Sequence, residues 1–191
     1  MSIYIPQGYC TPPEAYGPLW GQIKRICLEH LVQAEADTAD ILDDLKNNAD
    51  LVIKATEIKV SCRIRNAKYF YDPSTRIQFT LRYFRKGNIP SEYSKIIKGR
   101  GNYMLYGFAD EQEILGWFIL DLQKLREFLP TTTPLKVVVN SDGSSIFHVY
   151  SLLQFPRSVI VAMHESVREA LMQFDRGWKR EAQLDRAATT T

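Results

Sequence analysis

Two short runs of strict alternation constrain this chain more than any other feature. In residues 57–65, Glu-Ile-Lys-Val-Ser-Cys-Arg-Ile-Arg, every even position is apolar and every odd one polar, the pattern of a half-buried β-strand. Arg76-Ile77-Gln78-Phe79-Thr80-Leu81-Arg82-Tyr83 repeats the alternation, and Asp72-Pro73-Ser74-Thr75 between the two runs predicts a turn and an antiparallel hairpin. If Tyr71 faces Arg76 across a four-residue loop, the two polar faces coincide. Ser61, Arg63, Arg65, Tyr69 and Tyr71 then share a surface with Arg76, Gln78, Thr80 and Arg82. Ile58, Val60, Cys62 and Ile64 join Ile77, Phe79 and Leu81 against a core. This register sets Arg65 opposite Arg82, a like-charge pair that destabilises a sheet unless an anion relieves it.

The remaining pattern is mixed. Leu19, Ile23, Ile26, Cys27, Leu31, Ala34, Ile41, Leu42 and Leu45 recur at spacings of three and four behind Pro18, which predicts a helix over residues 18–47, or a helix pair broken near Ala34, ended by Asn47-Asn48. Pro90-Ser91-Glu92 reads as a capped start for a short helix through Lys98, stopped by Gly99-Arg100-Gly101. Residues 103–108 and 114–120 predict a hairpin about residues 109–112, and Asp121 caps a helix to about Leu129. Residues 135–140 and 146–152 predict another hairpin about Ser141-Asp142-Gly143. Ile160, Met163, Val167, Ala170, Leu171 and Phe174 keep helical spacing behind Ser158. The expected fold class is therefore α+β: one domain over residues 1–174, with an N-terminal helix or helix pair, a central mixed or antiparallel sheet built from hairpins, and a C-terminal helix. Residues 175–191 read as a flexible polar tail.

Charge is unevenly distributed. The formal balance is only +2, yet residues 54–100 hold 12 basic and 3 acidic side chains, a balance of +9. Such a block attracts a polyanion by its summed potential, so nucleic acid, DNA or RNA, is the expected partner. Arg63, Arg65, Arg76 and Arg82 would fork onto phosphates, Gln78 would add an amide, and Tyr69, Tyr71 and Tyr93 would offer rings for stacking exposed bases. Lys95, Lys98 and Arg100 extend the basic surface to the glycine-rich helix end, which either helps to hold a phosphate or simply stops the helix. The competing account of the hairpin face is a solvated surface neutralised from within, with Asp37, Asp40 and Asp44 as the source of the opposing charge.

Asp50 and the Glu57-Ile58-Lys59 run form the second candidate constellation. Two carboxylates can hold Mg²⁺ while a lysine orients the attacking water, and Glu57 and Lys59 share a strand face. On these residues, and on the order of elements in residues 18–108, the chain resembles the PD-(D/E)XK nuclease superfamily, whose fold runs helix, three-strand meander, helix, strand. The resemblance implies Asp50 and Glu57 as metal ligands, Lys59 as the third catalytic residue, Mg²⁺ as cofactor, and Glu29 or Glu35 as a further acid from the first helix. Without that resemblance, Glu57 and Lys59 read as an ordinary ion pair.

Other classes find no support. No apolar run exceeds seven residues, far short of the roughly 20 that cross a bilayer, so no membrane association is expected. The opening MSIYIPQGYCTP has neither the basic start nor the apolar stretch of a secretory signal, which makes the cytoplasm the expected compartment. Cys10, Cys27 and Cys62 form no CxxC pair, and His30, His148 and His164 are scattered without metal-ligand spacing. No phosphate-binding glycine motif is present. The expectation is a nucleic-acid-binding protein, with a Mg²⁺-dependent endonuclease as its catalytic version. The alternative is a noncatalytic phage or mobile-element accessory or assembly protein whose basic face meets nucleic acid or an acidic protein.

Overall fold

Residues 16–37, 58–87 and 89–175 are described by the computed structural model. Helix α1, Leu19–Asp37, begins after a turn at Gly17, whose φ of 49° favours glycine. It runs unbroken past Ala34. Leu19, Ile23, Ile26, Cys27 and Leu31 make its buried stripe. The predicted continuation over 38–47 lies outside the described residues, as do residues 176–191 of the predicted tail.

Among the described residues, seven strands form two sheets. The first contains β1 (Val60–Asn66), β3 (Tyr103–Ala109), β4 (Ile114–Asp121) and β7 (Ile160–Met163) in the order β1-β3-β4-β7. It is mixed, because β1 runs parallel to β3 while β3–β4 and β4–β7 are antiparallel. The second sheet, order β2-β6-β5, contains β2 (Gln78–Arg85), β5 (Lys136–Val139) and β6 (Ser145–Ser151), all antiparallel. Of the further described helices, α2 (Pro73–Arg76), α3 (Glu92–Ile97) and α4 (Leu122–Phe128) lie between strands, and α5 (Glu165–Phe174) follows β7. The predicted α+β class and both later hairpins, β3–β4 and β5–β6, are present. So are the Ser91 and Asp121 caps, whose side chains accept from Ser94 N–H and from Gln123 and Lys124 N–H.

The two faces of the first sheet bury different partners. Leu105, Trp117 and Ile119, with Val60, Cys62 and Ile64 of β1, meet the stripe of α1. Met104, Tyr106, Phe108, Phe118 and Leu120 point the other way and pack with Phe79, Leu81 and Tyr150 of the second sheet and with Leu125 and Leu171 of the flanking helices. Rings dominate that second core: Phe79 stacks on Tyr150 at 5.6 Å between centroids, and Tyr106 on Phe118 at 5.2 Å.

Two sequence expectations are overturned here. The β1–β2 hairpin is not formed: β1 pairs with β3 and β2 with β6, in different sheets. Residues 67–77, between the two strands, fold as a 3-10 turn at Ala67–Tyr69 and the helical turn α2, which Asp72 caps by accepting Ser74 N–H at 2.8 Å. This connection turns the chain from one sheet into the other. Ile77, Phe79 and Leu81 therefore lie in a different core from Val60, Cys62 and Ile64, and Arg65 stands beside Phe108 rather than Arg82. The meander implied by the nuclease resemblance is likewise not made by β1 and β2. The second correction concerns residues 160–163, expected to be helical. They form β7, because the β-branched Ile160 and Val161 suit a strand and the open edge of β4 supplies the pairing. Helix α5 starts only after His164, whose Nδ1 accepts Ser166 N–H at 3.3 Å.

A close approach locks the segment between β1 and β2. The Phe70 ring lies so near Gly116 of β4 that a Cβ there would stand 2.6 Å from Phe70 Cε2. Arg76 lies over that ring, 4.3 Å from its centroid, and donates to Phe70 O at 2.7 Å and Ser166 O at 3.1 Å. Gly116→Ala must displace the Phe70 ring and crowds Ser166 Oγ at 3.0 Å, and should cost about 1–3 kcal/mol in chemical denaturation. Gly21, in α1 with nothing near its Cβ position, gives the opposite sign: Gly21→Ala should gain about 0.5–1 kcal/mol. Equal unfolding midpoints for the two variants would contradict this packing.

Candidate nucleic-acid interface

Although the hairpin is absent, three of its arginines still converge. Val60, Cys62 and Ile64 face α1, so alternation turns Arg63 and Arg65 to the side of the first sheet that faces the second. Because β1 is an edge strand among the described residues, these side chains reach across the margin between the sheets. Arg82 comes from β2, the edge of the other sheet. The three line one concave groove of about 510 Å³ along β1, which also touches Tyr16, Asn66 and Glu92.

Glu92, at the start of α3, organises the groove. Its Oε2 accepts a hydrogen bond from the Arg63 guanidinium and another from the backbone N–H of Arg82 at 2.8 Å. Both guanidiniums also lie near the Phe147 ring, with Cζ at 5.1 Å for Arg63 and 5.3 Å for Arg82, a cation–π arrangement. The Arg82 Nε–H is buried and has no hydrogen-bond partner among the described residues. Burial, with smaller repulsion from Arg63 and Arg85, draws the Arg82 guanidinium below its usual range, and Glu92 opposes this. A partly buried cation with an orphaned donor beside an open groove is a place where an anion can find a charge-assisted hydrogen bond.

The other predicted contacts are distributed differently. Arg65 stacks on Tyr69, 3.6 Å from Cζ to the ring centroid, with Lys68 Nζ 5.1 Å from the same ring. Tyr69 therefore serves as the arginine's platform. Arg76 is a structural cation, bonded to Phe70 O and Ser166 O, and Gln78 pairs with Ser151 at the start of β2. Neither lines the groove. Lys95, Lys98 and Arg100 belong to α3 and its end, also outside the groove lining. The glycine-rich end closes the helix through Gly99 N–H to Ile96 O and Arg100 N–H to Lys95 O, both 2.9 Å.

Tyr93 contacts Tyr83 at 5.1 Å between centroids and His148 at 6.2 Å. His148 also stacks on Tyr83 at 4.0 Å, and its Nδ1 lies 3.3 Å from the Tyr150 hydroxyl. Burial lowers the His148 pKa; burial, with Tyr93 and Tyr83 nearby, pushes the Tyr150 hydroxyl up to about 12. This cluster packs as neutral rings.

Of the proposed catalytic set, Asp50 and Glu57 lie outside the described residues. Lys59 is exposed at the head of β1, where its N–H donates to Asn102 Oδ1 at 2.8 Å. Among the described residues no three His, Cys, Asp or Glu side chains gather as a metal site. No described helix is long and apolar enough to cross a membrane.

Sequence reasoning missed Glu92 and Phe147 as site residues. Glu92 carries a signal, being one of only three acids in the basic block, but its place at a helix start accounts for it equally well. Phe147 gives none, since it comes from a different hairpin. No protein family, curated protein or solved structure matches this chain.

The histidine supplies a pH test. Its folded pKa lies below the unfolded value near 6.5. The folded state therefore prefers the neutral ring, and stability is complete above that value and declines as pH falls through it. Urea unfolding between pH 7.5 and 5, two values chosen to bracket about 6.5, should show this decline in wild type and a shallower one in His148→Phe. Identical slopes would remove His148 from the account.

Proposed function

We propose that the protein binds nucleic acid, with the Arg63–Arg65–Arg82 groove holding backbone phosphates. The observation carrying this reading is that edge strands of two separate sheets deliver three arginines to one groove in which Glu92 is the single carboxylate among the described residues, with one arginine donor buried and unpaired among those residues. A buried unpaired Nε–H also occurs at Arg126 outside the groove, so the weight rests on the convergence of three guanidiniums, whose forks suit phosphate oxygens. The Tyr69 ring holds the Arg65 guanidinium flat, reducing the rotamer entropy that binding must remove.

Catalysis by Asp50, Glu57 and Lys59 with Mg²⁺ is a further proposal, in which Asp50 and Glu57 lie outside the described residues. It is favoured by one feature: Lys59 leads directly into β1, which carries Arg63 and Arg65. A protein ligand for the groove is the competing outcome, and it would be an acidic one.

Fluorescence anisotropy with labelled single- and double-stranded DNA and RNA, with and without Mg²⁺, tests the reading. Wild type should bind with steep salt dependence, and Arg65→Ala/Arg82→Ala should flatten the log–log slope by about 0.7–0.9 for each phosphate that is no longer neutralised. Arg76→Ala should affect stability and not that slope. Unchanged affinity and slope in the double variant would overturn the assignment, while cutting that requires Mg²⁺ and is abolished in Glu57→Gln would add the nuclease step. Glu92→Gln separates the roles of the carboxylate. By removing the internal competitor of Arg63 it should tighten nucleic-acid binding, while weakening the fold by about 1–3 kcal/mol. Weaker binding by a folded Glu92→Gln protein would mean that the carboxylate positions the arginines more than it competes for them.

A further inference from the structure

The second sheet has two edges, and they are treated differently. On β2 the outward N–H of Thr80 donates to the Tyr106 hydroxyl at 3.2 Å and that of Arg82 to Glu92 at 2.8 Å, so side chains occupy the positions another strand would use. The opposite edge, β5, has no such cover among the described residues. Leu135, Val137, Val138 and Val139 are 55, 52, 37 and 58% exposed. Consecutive strand residues point to opposite faces, so β5 is apolar and open on both. An uncovered apolar edge is a template for strand addition unless charge, proline or a bulge blocks it. Here one charge, Lys136, lies at the start of the strand only, where Leu135 N–H donates to Val149 O beside the Lys136–Val149 pair.

We propose that β5 pairs with β5 of a second copy of this chain, antiparallel and centred on Val138, joining the two three-stranded sheets into one. The register follows from the hydrogen bonds. Asn140 N–H bonds to Ser145 O, so in the antiparallel β5–β6 ladder residues 136, 138 and 140 face β6, and Val137 and Val139 direct their N–H and C=O groups outward. A two-fold axis at Val138 sets Val137 opposite Val139 of the second copy, and the reverse, so the outward groups satisfy one another in two reciprocal pairs. The same axis sets Lys136 opposite Asn140 and two residues from Asp142 of the second copy. It thereby keeps the two lysines apart and brings each toward a carboxylate. A self-complementary patch of this kind closes as a symmetric dimer. The pair is small beside obligate interfaces, so association depends on concentration. This inference is independent of the arginine groove.

Sedimentation of the full chain across the micromolar range should show a reversible monomer–dimer equilibrium. Val137→Pro removes an outward donor in each copy and no bond to β6, and should weaken dimerisation about tenfold or more. Val137→Lys/Val139→Lys, which needs no special φ, should abolish it with the circular dichroism spectrum and thermal melt retained. Register is read separately: Val138→Cys lies on the axis, with Cα atoms about 4.5–5.5 Å apart, and mild oxidation should link it as a dimer. Wild type and Val139→Cys should link far more slowly. Overturning results are a wild type that stays monomeric throughout, a folded Val137→Lys/Val139→Lys protein that dimerises as wild type does, or crosslinking of Val138→Cys no faster than of Val139→Cys.

Discussion

The carboxylate of Glu92 is the interaction on which the rest of this arrangement depends. It receives the Arg63 guanidinium from one sheet and the Arg82 N–H from the other. It therefore joins β1 to β2 where the predicted hairpin would have joined them through hydrogen-bonded strands. Two consequences follow. The free edge of β2 is closed at Arg82 without a partner strand, and the repulsion between two nearby guanidiniums is partly offset by one negative charge and a shared aromatic ring. Among the described residues the compensation is incomplete, since three arginines face one carboxylate and the Arg82 Nε–H is left over. That imbalance connects the packing to the proposed function.

Much of the architecture was legible in local pattern. The α1 stripe of Leu19, Ile23, Ile26, Cys27 and Leu31, the Ser91 and Asp121 caps, and the two hairpins at residues 103–121 and 136–151 all arise from neighbours in sequence. Alternation in residues 57–65 and 76–83 also told correctly that Val60, Cys62 and Ile64, and Ile77, Phe79 and Leu81, turn into a core. It carries no information about which strand lies alongside, and a parallel β1–β3 pair spanning some forty residues of chain leaves no local mark. The misread turn at Asp72 has the same origin: Asp-Pro-Ser-Thr starts a helical turn as readily as it closes a hairpin. Likewise Ile160 to Met163 fits a helical stripe as well as a short strand, and only the edge of β4 decides.

The candidate site was legible as a region and not as a constellation. A +9 segment announces a polyanion partner, but charge counting cannot separate Arg76, used up in holding Phe70 and Ser166, from Arg82, whose donor is unused. That distinction depends on Gly116 and Ser166, distant in sequence. The aromatic residues divide in the same way. Tyr69 became the seat of Arg65, whereas Tyr83 and Tyr93 pack with His148.

The most direct test follows the arginine side chains themselves. With uniformly ¹⁵N-labelled protein, the Nε–Hε resonances of Arg63, Arg65, Arg76 and Arg82 are assigned and followed by NMR as a short oligonucleotide is added. Phosphate binding in the groove requires Arg82 and Arg65 to shift most, with Arg82 Hε moving downfield as its unpaired donor gains a phosphate acceptor, while Arg76 stays in place as an internal control. Shifts confined to Arg76 or to the Lys95–Arg100 end of α3, with Arg82 unmoved at saturation, would contradict it.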